Sequence, residues 1–111
     1  MQKSIIELFS SPTCPYCPRC ITMLKELEQE RNDIDAIYYS TLSEKGKTKL
    51  EEYNILTVPT FIITGPAITN KIGLKNPSKE KLNEAIDISL GLKQIKRQKS
   101  FLNSIKDIFK K

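Results

Sequence analysis

The stretch that decides the fold is IIELFSSPTCPYCPRC, which spans Ile5–Cys20. An apolar run, Ile5–Phe9, is followed by a short polar segment and then by Cys14 and Cys17, which two residues separate. A helical pattern follows the cysteines, so the pair is expected in a loop between a buried strand and a helix N-terminus. Unpaired backbone N–H groups and the helix dipole at that place favour a negative charge on Cys14.

The spacing of the two cysteines predicts a redox dithiol. Thiol–disulfide exchange needs an exposed thiolate to attack and a second thiol close enough to resolve the mixed disulfide that forms. A helix N-terminus and a Cys-x-x-Cys setting lower a thiol pKa from about 8.5 to roughly 3.5–7.5. Cys14 is therefore the expected nucleophile, and Cys17, one turn inside the helix, is the expected resolving thiol.

A third cysteine, Cys20, leaves two further alternatives open. The run Cys-x-x-Cys-x-x-Cys could hold a metal or an iron–sulfur cluster, with Cys14 as a ligand, but such sites take four ligands and the chain has three cysteines and no histidine. Cys20 also falls on one helical stripe with Leu24 and Leu27, which predicts a small core residue. The remaining alternative is a regulatory thiol that pairs with Cys17 on over-oxidation.

Length and charge indicate one small domain with a basic extension. The chain has 111 residues and a net charge of +5, and the segment 92–111 contains seven Lys/Arg and one Asp. We therefore divide it into a redox domain, 1–91, and a basic amphipathic helical extension, 92–111. The extension is expected to dock on its own domain, or else to contact an acidic partner or an anionic membrane surface. Its apolar stripe consists of Phe101, Leu102, Ile105, Ile108 and Phe109.

The remaining pattern predicts a βαβ unit followed by a ββα unit. Strands are expected at 5–9, 36–39, 60–63 and 67–72, and helices at 17–31, at 43–53 and from Ser78, with Leu82, Ile86 and Leu90 inward. A strand–helix–strand order implies parallel pairing, and the short turn Thr64-Gly65-Pro66 predicts an antiparallel hairpin. The expected fold class is α/β, with a four-stranded mixed sheet flanked by helices.

These residues resemble the thioredoxin superfamily over Ile5–Leu90. The CPYC tetrapeptide, Cys14–Cys17, is similar to the active-site motif of glutaredoxins, and the segment Val58–Phe61 is similar to the thioredoxin segment whose cis-proline faces the active cysteines. The resemblance implies a thioredoxin fold of compact, glutaredoxin-like size. It also implies a redox-active Cys14–Cys17 disulfide, with no bound cofactor and no metal.

The resemblance implies roles for residues around the cysteines. The expected substrate-binding residues are consecutive in the chain: Thr57, Val58 and Pro59. We predict a cis Val58–Pro59 bond, with neighbouring backbone groups pairing with an extended substrate strand; the alternative is a trans proline that opens an edge strand. Pro15 and Tyr16 are expected to shape the surface around Cys14.

Glu7 is an acid inside an apolar strand, and a buried carboxylate needs a physical reason. If one inserted residue is allowed before Cys14, Glu7 resembles the buried acid of thioredoxins, which accepts a proton from the resolving cysteine. The pattern itself favours a second interpretation, in which Glu7 is an edge-facing carboxylate paired with a lysine.

The predicted function is reduction of protein disulfides by a monomeric cytoplasmic enzyme. An upstream reductase or a low-molecular-weight thiol would supply electrons, and neither nucleic acid nor a membrane is an expected partner. A glutathione-dependent glutaredoxin is the first alternative, although the basic residue before the cysteines and the Gly-Gly and Asp elements of glutathione-binding relatives are missing here. An iron–sulfur or metal carrier acting through Cys14 is the second alternative.

Overall fold

A computed structural model describes residues 3–93 as a four-stranded sheet with helices on both faces. The elements in chain order are β1 (Ser4–Ser10), α1 (Cys17–Glu30), β2 (Ile34–Ser40), α2 (Glu44–Glu52), β3 (Thr60–Thr64), β4 (Ile72–Lys75) and α3 (Lys79–Ser89). Within that range, no helix has the length and apolar character needed to span a bilayer. The extension predicted over 92–111 lies outside the described residues except for its first two positions.

The strand order is β2-β1-β3-β4, with β1 parallel to β2 and antiparallel to β3, and with β3 antiparallel to β4. This arrangement confirms the predicted α/β class and mixed sheet. Since β1 has a neighbour on each side, the loop that follows it emerges from the middle of one sheet edge. The cysteine pair is therefore displayed centrally.

Alternation along the strands divides the core into two faces. The α1/α3 face is a large apolar core in which Ile6 and Leu8 of β1 meet Leu24 and Leu27 of α1 and Leu82 of α3. On the α2 face, a smaller cluster is built from Phe9, Tyr39 and Ile62, with Leu50, Tyr53, Ile55 and Val58 packed against it. Glu7 has the same strand parity as Phe9 and lies on the α2 face.

The fourth strand differs from its prediction. We expected it at 67–72, directly after a Gly-Pro turn, but β4 is Ile72–Lys75 and a loop of residues 65–71 precedes it. The loop backbone does not pair with β3 at Ala67. The Ala67 N–H instead donates to the Ser89 carbonyl at 2.9 Å, which ties the loop to the end of α3. The antiparallel pairing itself is confirmed, with Ile63 opposite Ile72.

Helices α2 and α3 each begin at a serine cap. The Ser43 hydroxyl accepts from the Gly46 N–H at 2.9 Å, and the Ser78 hydroxyl, at the residue from which we predicted the last helix, accepts from the Lys81 N–H at 3.2 Å. Gly46 lies so close to the Ser40 carbonyl that a Cβ atom would clash with it. Glycine therefore allows α2 to start directly against the end of β2.

Candidate active site

Cys14 and Cys17 lie beyond the carboxyl end of β1 and are joined by a disulfide with a Cα–Cα distance of 5.4 Å. The Cys14 N–H donates to the Ser11 carbonyl at 3.1 Å, which closes a tight turn before the first cysteine. Cys14 is half-buried, whereas Cys17 is only 1% exposed. An incoming sulfur atom can thus reach Cys14 but not Cys17.

The N-terminus of α1 leaves its positive end free to act on the cysteines. Tyr16 occupies the N-cap position without a side-chain cap, and the first turn contains no acidic residue. Pro18 fills the first turn without removing a backbone bond, because N–H groups there have no partner within the helix. A thiolate on Cys14 would be stabilised by this arrangement.

The segment before β3 supplies the other wall of the site. The Val58–Pro59 peptide bond is cis, as predicted, and the Val58 carbonyl oxygen lies 3.8 Å from the Cys14 sulfur. The Thr60 hydroxyl donates to the Thr57 carbonyl at 2.7 Å and fixes the approach to the proline. Pro59 is buried and Val58 half-buried, so backbone groups of this segment face the reactive sulfur.

The outer surface of the site is open. Pro15 and Thr57 are exposed, Tyr16 is 59% exposed and Leu56 is 89% exposed. Tyr16 in the Cys14 loop and Leu56 ahead of the cis-proline thus each expose an apolar side chain. The structure brings the Val58 carbonyl to Cys14, which Pro15 and Tyr16 directly follow in the chain; the roles of these residues toward a substrate stay predictions.

The position of Glu7 differs from the one its sequence pattern favoured, an edge-facing carboxylate paired with a lysine. It is 5% exposed on the central strand β1, so an edge-facing carboxylate is wrong. The Tyr53 hydroxyl donates to both carboxylate oxygens, at 3.0 Å to Oε1 and 3.3 Å to Oε2. The burial proposed by the resemblance is confirmed, and the observed hydrogen-bond donor is a tyrosine at the end of α2.

The two tyrosines near Glu7 hold their protons firmly. Burial, and then the hydrogen bond to Glu7, raises the pKa of Tyr53. Burial, and then the charge of Glu7, raises the pKa of Tyr39. Both phenols therefore remain hydrogen-bond donors across the neutral pH range.

Cys20 is buried in the α1/α3 core, which confirms its prediction as a core residue. Burial raises the pKa of its thiol, against a smaller opposing effect of the Arg19 guanidinium. Its sulfur lies 3.6 Å from Oδ1 of Asn76, and Arg19 Nη2 donates to the same oxygen at 2.6 Å. The Asn76 N–H in turn donates to the Pro59 carbonyl at 3.1 Å.

Sequence reasoning missed Tyr53, Arg19 and Asn76 as parts of the site. Asn76 has a φ of 44°, in the left-handed region that asparagine tolerates better than most residues, so the dipeptide Asn76-Pro77 carried a turn signal. Tyr53 lies just before Asn54, whose φ of 58° also marks the end of a helix. No local pattern, however, links Tyr53 to Glu7.

Among residues 3–93, no group of three or more His, Cys, Asp or Glu side chains is arranged to hold a metal ion. Two of the three cysteines are bonded to each other, and Cys20 contacts Asn76.

An accessible and a buried cysteine, joined at a helix N-terminus beside a cis-proline, define a dithiol oxidoreductase. The family model described as "Thioredoxin domain" matches residues 4–87. A thioredoxin of Methanocaldococcus jannaschii is 41% identical over 86 residues, covering 78% of this chain and 95% of that protein. A probable thioredoxin of Methanothermobacter thermautotrophicus is 39% identical over 83 residues, covering 74% and 91%.

Solved structures show the same fold at lower identity. The reduced Schistosoma mansoni thioredoxin pre-protein superposes with a TM-score of 0.66 at 21% identity, covering 80% of this chain and 81% of that one. Oxidised mitochondrial thioredoxin 3 of Saccharomyces cerevisiae gives 0.64 at 17% identity, covering 78% and 79%. The chain belongs to the thioredoxin family and is a thiol–disulfide oxidoreductase.

Proposed function

We propose that this protein reduces protein disulfides with Cys14 as the nucleophile and Cys17 as the resolving thiol. The Cys14 thiolate attacks one sulfur of a target disulfide, the target S–S bond breaks, and its second sulfur leaves as a thiolate. Cys17 then loses its proton and attacks the Cys14 sulfur of the mixed disulfide. The Cys14–Cys17 bond forms, the target leaves reduced, and two electrons have passed to it.

One observation carries this proposal: the half-exposed Cys14 sulfur faces the Val58 carbonyl at 3.8 Å while its disulfide partner Cys17 is buried. The asymmetry supports attack through Cys14 and resolution from inside. It also favours a protein target, because the half-buried Val58, just before the cis-proline, offers its backbone to an extended strand beside Cys14. Thr57, Val58 and Pro59 would bind that strand, and Pro15 and Tyr16 would contact its surroundings.

Glu7 is proposed as the acceptor of the Cys17 proton. Its support is the resemblance of its position to the buried acid of thioredoxins, together with its burial on β1, which leads into the cysteine loop. A carboxylate held in a largely dry environment is a suitable general base for a buried thiol.

We also propose an electron donor and a cellular compartment for this protein. We place the protein in the cytoplasm as a monomer, because a reducing compartment keeps a closely spaced cysteine pair available for catalysis. The Cys14/Cys17 pair carries two electrons in its dithiol form, without a bound cofactor, and becomes the disulfide when it gives them up. A thioredoxin reductase is the proposed donor, with a low-molecular-weight thiol such as glutathione as the alternative.

The test is reduction of insulin by the purified full chain with two donor systems: thioredoxin reductase with NADPH, and glutathione with its reductase. We expect turnover with the first. Cys14→Ser should abolish activity, Cys17→Ser should stop turnover and accumulate a mixed disulfide, and Cys20→Ala is the matched cysteine control that keeps activity. Turnover with glutathione alone would instead support the glutaredoxin alternative, and no turnover with either donor would overturn the proposal.

A further inference from the structure

Glu7 has an unusual hydrogen-bond donor for a buried carboxylate in the middle of a sheet. The Tyr53 hydroxyl spans both of its oxygens, at 3.0 and 3.3 Å, across 46 positions of sequence. A buried carboxylate without such a donor would be strongly disfavoured relative to its protonated form. Tyr53 therefore supplies hydrogen bonds of the kind that a buried carboxylate needs in this core.

The Tyr53 ring is itself held from several sides. Phe9 meets it edge-on with ring centroids 6.1 Å apart, and the ammonium groups of Lys49 and Lys71 lie over it at 5.3 and 5.7 Å from its centroid. These contacts fix the direction in which the hydroxyl points. The orientation of the Glu7 carboxylate follows from that direction.

Charged and titratable groups face Glu7 from β2 and from α2 and its end, whereas β3 pairs with it through the apolar Ile62. Tyr39 from β2 interacts with the Glu7 charge, as do Tyr53 and Lys49 from α2 and its end. Glu52 of α2 acts on both tyrosines and on Lys49. Among these groups, Tyr53 donates directly to both carboxylate oxygens.

This polar group connects to the cysteines through packed side chains. Tyr53 and Val58 both pack against the cluster that contains Phe9, and the Val58 carbonyl contacts the Cys14 sulfur at 3.8 Å. The run from Glu7 through Tyr53, Phe9 and Val58 therefore ends at the disulfide. Tyr53 also stands five positions before Val58, at the start of the segment that delivers the cis-proline.

We propose that Tyr53 is a positioning residue for the resolving step, holding the Glu7 carboxylate ionised and correctly oriented to take the proton of Cys17. The inference rests on the proposed function, in which Glu7 is the proton acceptor. The Cys17 S–H proton passes to the carboxylate, and the Cys17 sulfur attacks Cys14 of the mixed disulfide. The bond between Cys14 and the target breaks, and the target sulfur leaves with the electron pair.

A hydrogen bond donated to the charged form of an acid favours that form. Removing the Tyr53 hydroxyl removes this preference, so we expect the carboxylate to serve less well as a base, above all at acidic pH, where protonation competes with that role. Loss of the hydroxyl must therefore slow resolution most at low pH, and a purely structural role predicts no such pH dependence.

The experiment mixes the reduced full chain with one equivalent of 5,5′-dithiobis(2-nitrobenzoate) and follows release of thionitrobenzoate from pH 5 to pH 9. Attack by Cys14 releases the first equivalent, and resolution by Cys17 releases the second. Tyr53→Phe should leave the first phase unchanged and slow the second about tenfold at the acidic end, with the ratio falling toward one at the alkaline end. Tyr38→Phe, which removes a surface hydroxyl bonded to Glu28, is the matched control and should change neither phase.

In a Glu7→Gln background, Tyr53→Phe should add no further pH-dependent slowing, because the base is already absent. A slowing of both phases by one factor at all pH values, or an unchanged second phase, would overturn the inference. The proposed function fails separately if the wild-type protein releases no second equivalent. If Tyr53→Phe does not fold, 3-fluorotyrosine at position 53 replaces it, because its hydroxyl is a stronger hydrogen-bond donor. The pH dependence of the second-phase rate should then move to lower pH. A pH dependence that does not move would overturn the inference.

Discussion

The two faces of the sheet bury different kinds of side chain. The α1/α3 face contains aliphatic and aromatic residues from four strands and two helices, and Cys20 adds a buried thiol to it. The α2 face is smaller and includes Glu7, Tyr39 and Tyr53, which interact electrostatically. This difference suggests that one face mainly stabilises the fold, whereas the other accepts a cost in stability to keep a polar group behind the disulfide.

The largest expected effect comes from a substitution in the core of the α1/α3 face. Leu82→Ala on α3 removes a fully buried side chain and should lower the free energy of unfolding by about 2–5 kcal/mol. Urea denaturation measures the loss. The exposed Glu80→Ala on the same helix should cost less than about 1 kcal/mol, and equal effects of the two substitutions would contradict the assigned core.

A second effect is expected at the rim of the same face, where Arg31 ties the α1–β2 loop to α3. Its guanidinium pairs with Asp33 and Asp87, both at 2.9 Å, and donates to Asn83 at 2.6 Å. Arg31→Met should lower the free energy of unfolding by about 2 kcal/mol at pH 7, between the values for exposed and buried pairs. Lys79→Met, which removes exposed ion pairs, should cost under about 1 kcal/mol.

The Arg31 effect should depend on pH. The hydrogen bond from Arg31, opposed by burial, lowers the pKa of Asp33. A carboxyl with a lower pKa in the folded state stabilises the fold above its unfolded pKa, near 3.9, and this contribution disappears as pH falls through the folded pKa. The difference between wild type and Arg31→Met should therefore be constant above about pH 5 and shrink below about pH 4; a pH-independent difference would exclude Asp33 as the partner.

On the α2 face we expect a substitution that raises, rather than lowers, the free energy of unfolding. Glu7→Gln removes a buried charge but keeps an oxygen that can accept from Tyr53, so the free energy of unfolding at pH 7 should rise by about 1 kcal/mol. Parallel urea denaturation and thionitrobenzoate kinetics measure both consequences on one variant. A more stable protein with slower resolution would show a carboxylate retained for function, whereas a less stable one would mean that the charge helps to hold the sheet together.

These faces also differ in how far the sequence could predict them. Helical periodicity identified Leu24, Leu27, Leu82 and Ile86, because burial against a sheet imposes a repeating pattern. No sequence pattern marks the environment of Glu7. Its hydrogen-bond donor, Tyr53, is 46 positions away and meets it only in the assembled sheet and α2. The cysteine pair and the cis-proline were predicted by resemblance to a known motif rather than by periodicity.

The late start of β4 has a similar cause. Ala67 and Ile68 have strand-like composition, but their N–H groups bond to the end of α3 and to Gly65. Local preference favoured a strand there, and a tertiary hydrogen bond between distant parts of the chain overrode it.

The smallest expected effect compares the helix caps on the two faces. Ser78→Ala should lower the global free energy of unfolding by about 0.5–1 kcal/mol, because α3 buries five residues and fraying of its first turn disturbs the core. Ser43→Ala removes the matching cap from α2, which buries only Gly46 among its own residues, so it should cost less than half as much globally. Its effect should appear instead as faster amide hydrogen exchange confined to α2, since a helix with little buried surface opens locally before the domain unfolds. Equal global losses would mean that the α2 face is coupled to the fold as tightly as the apolar face, and the contrast between them would then be one of polarity alone.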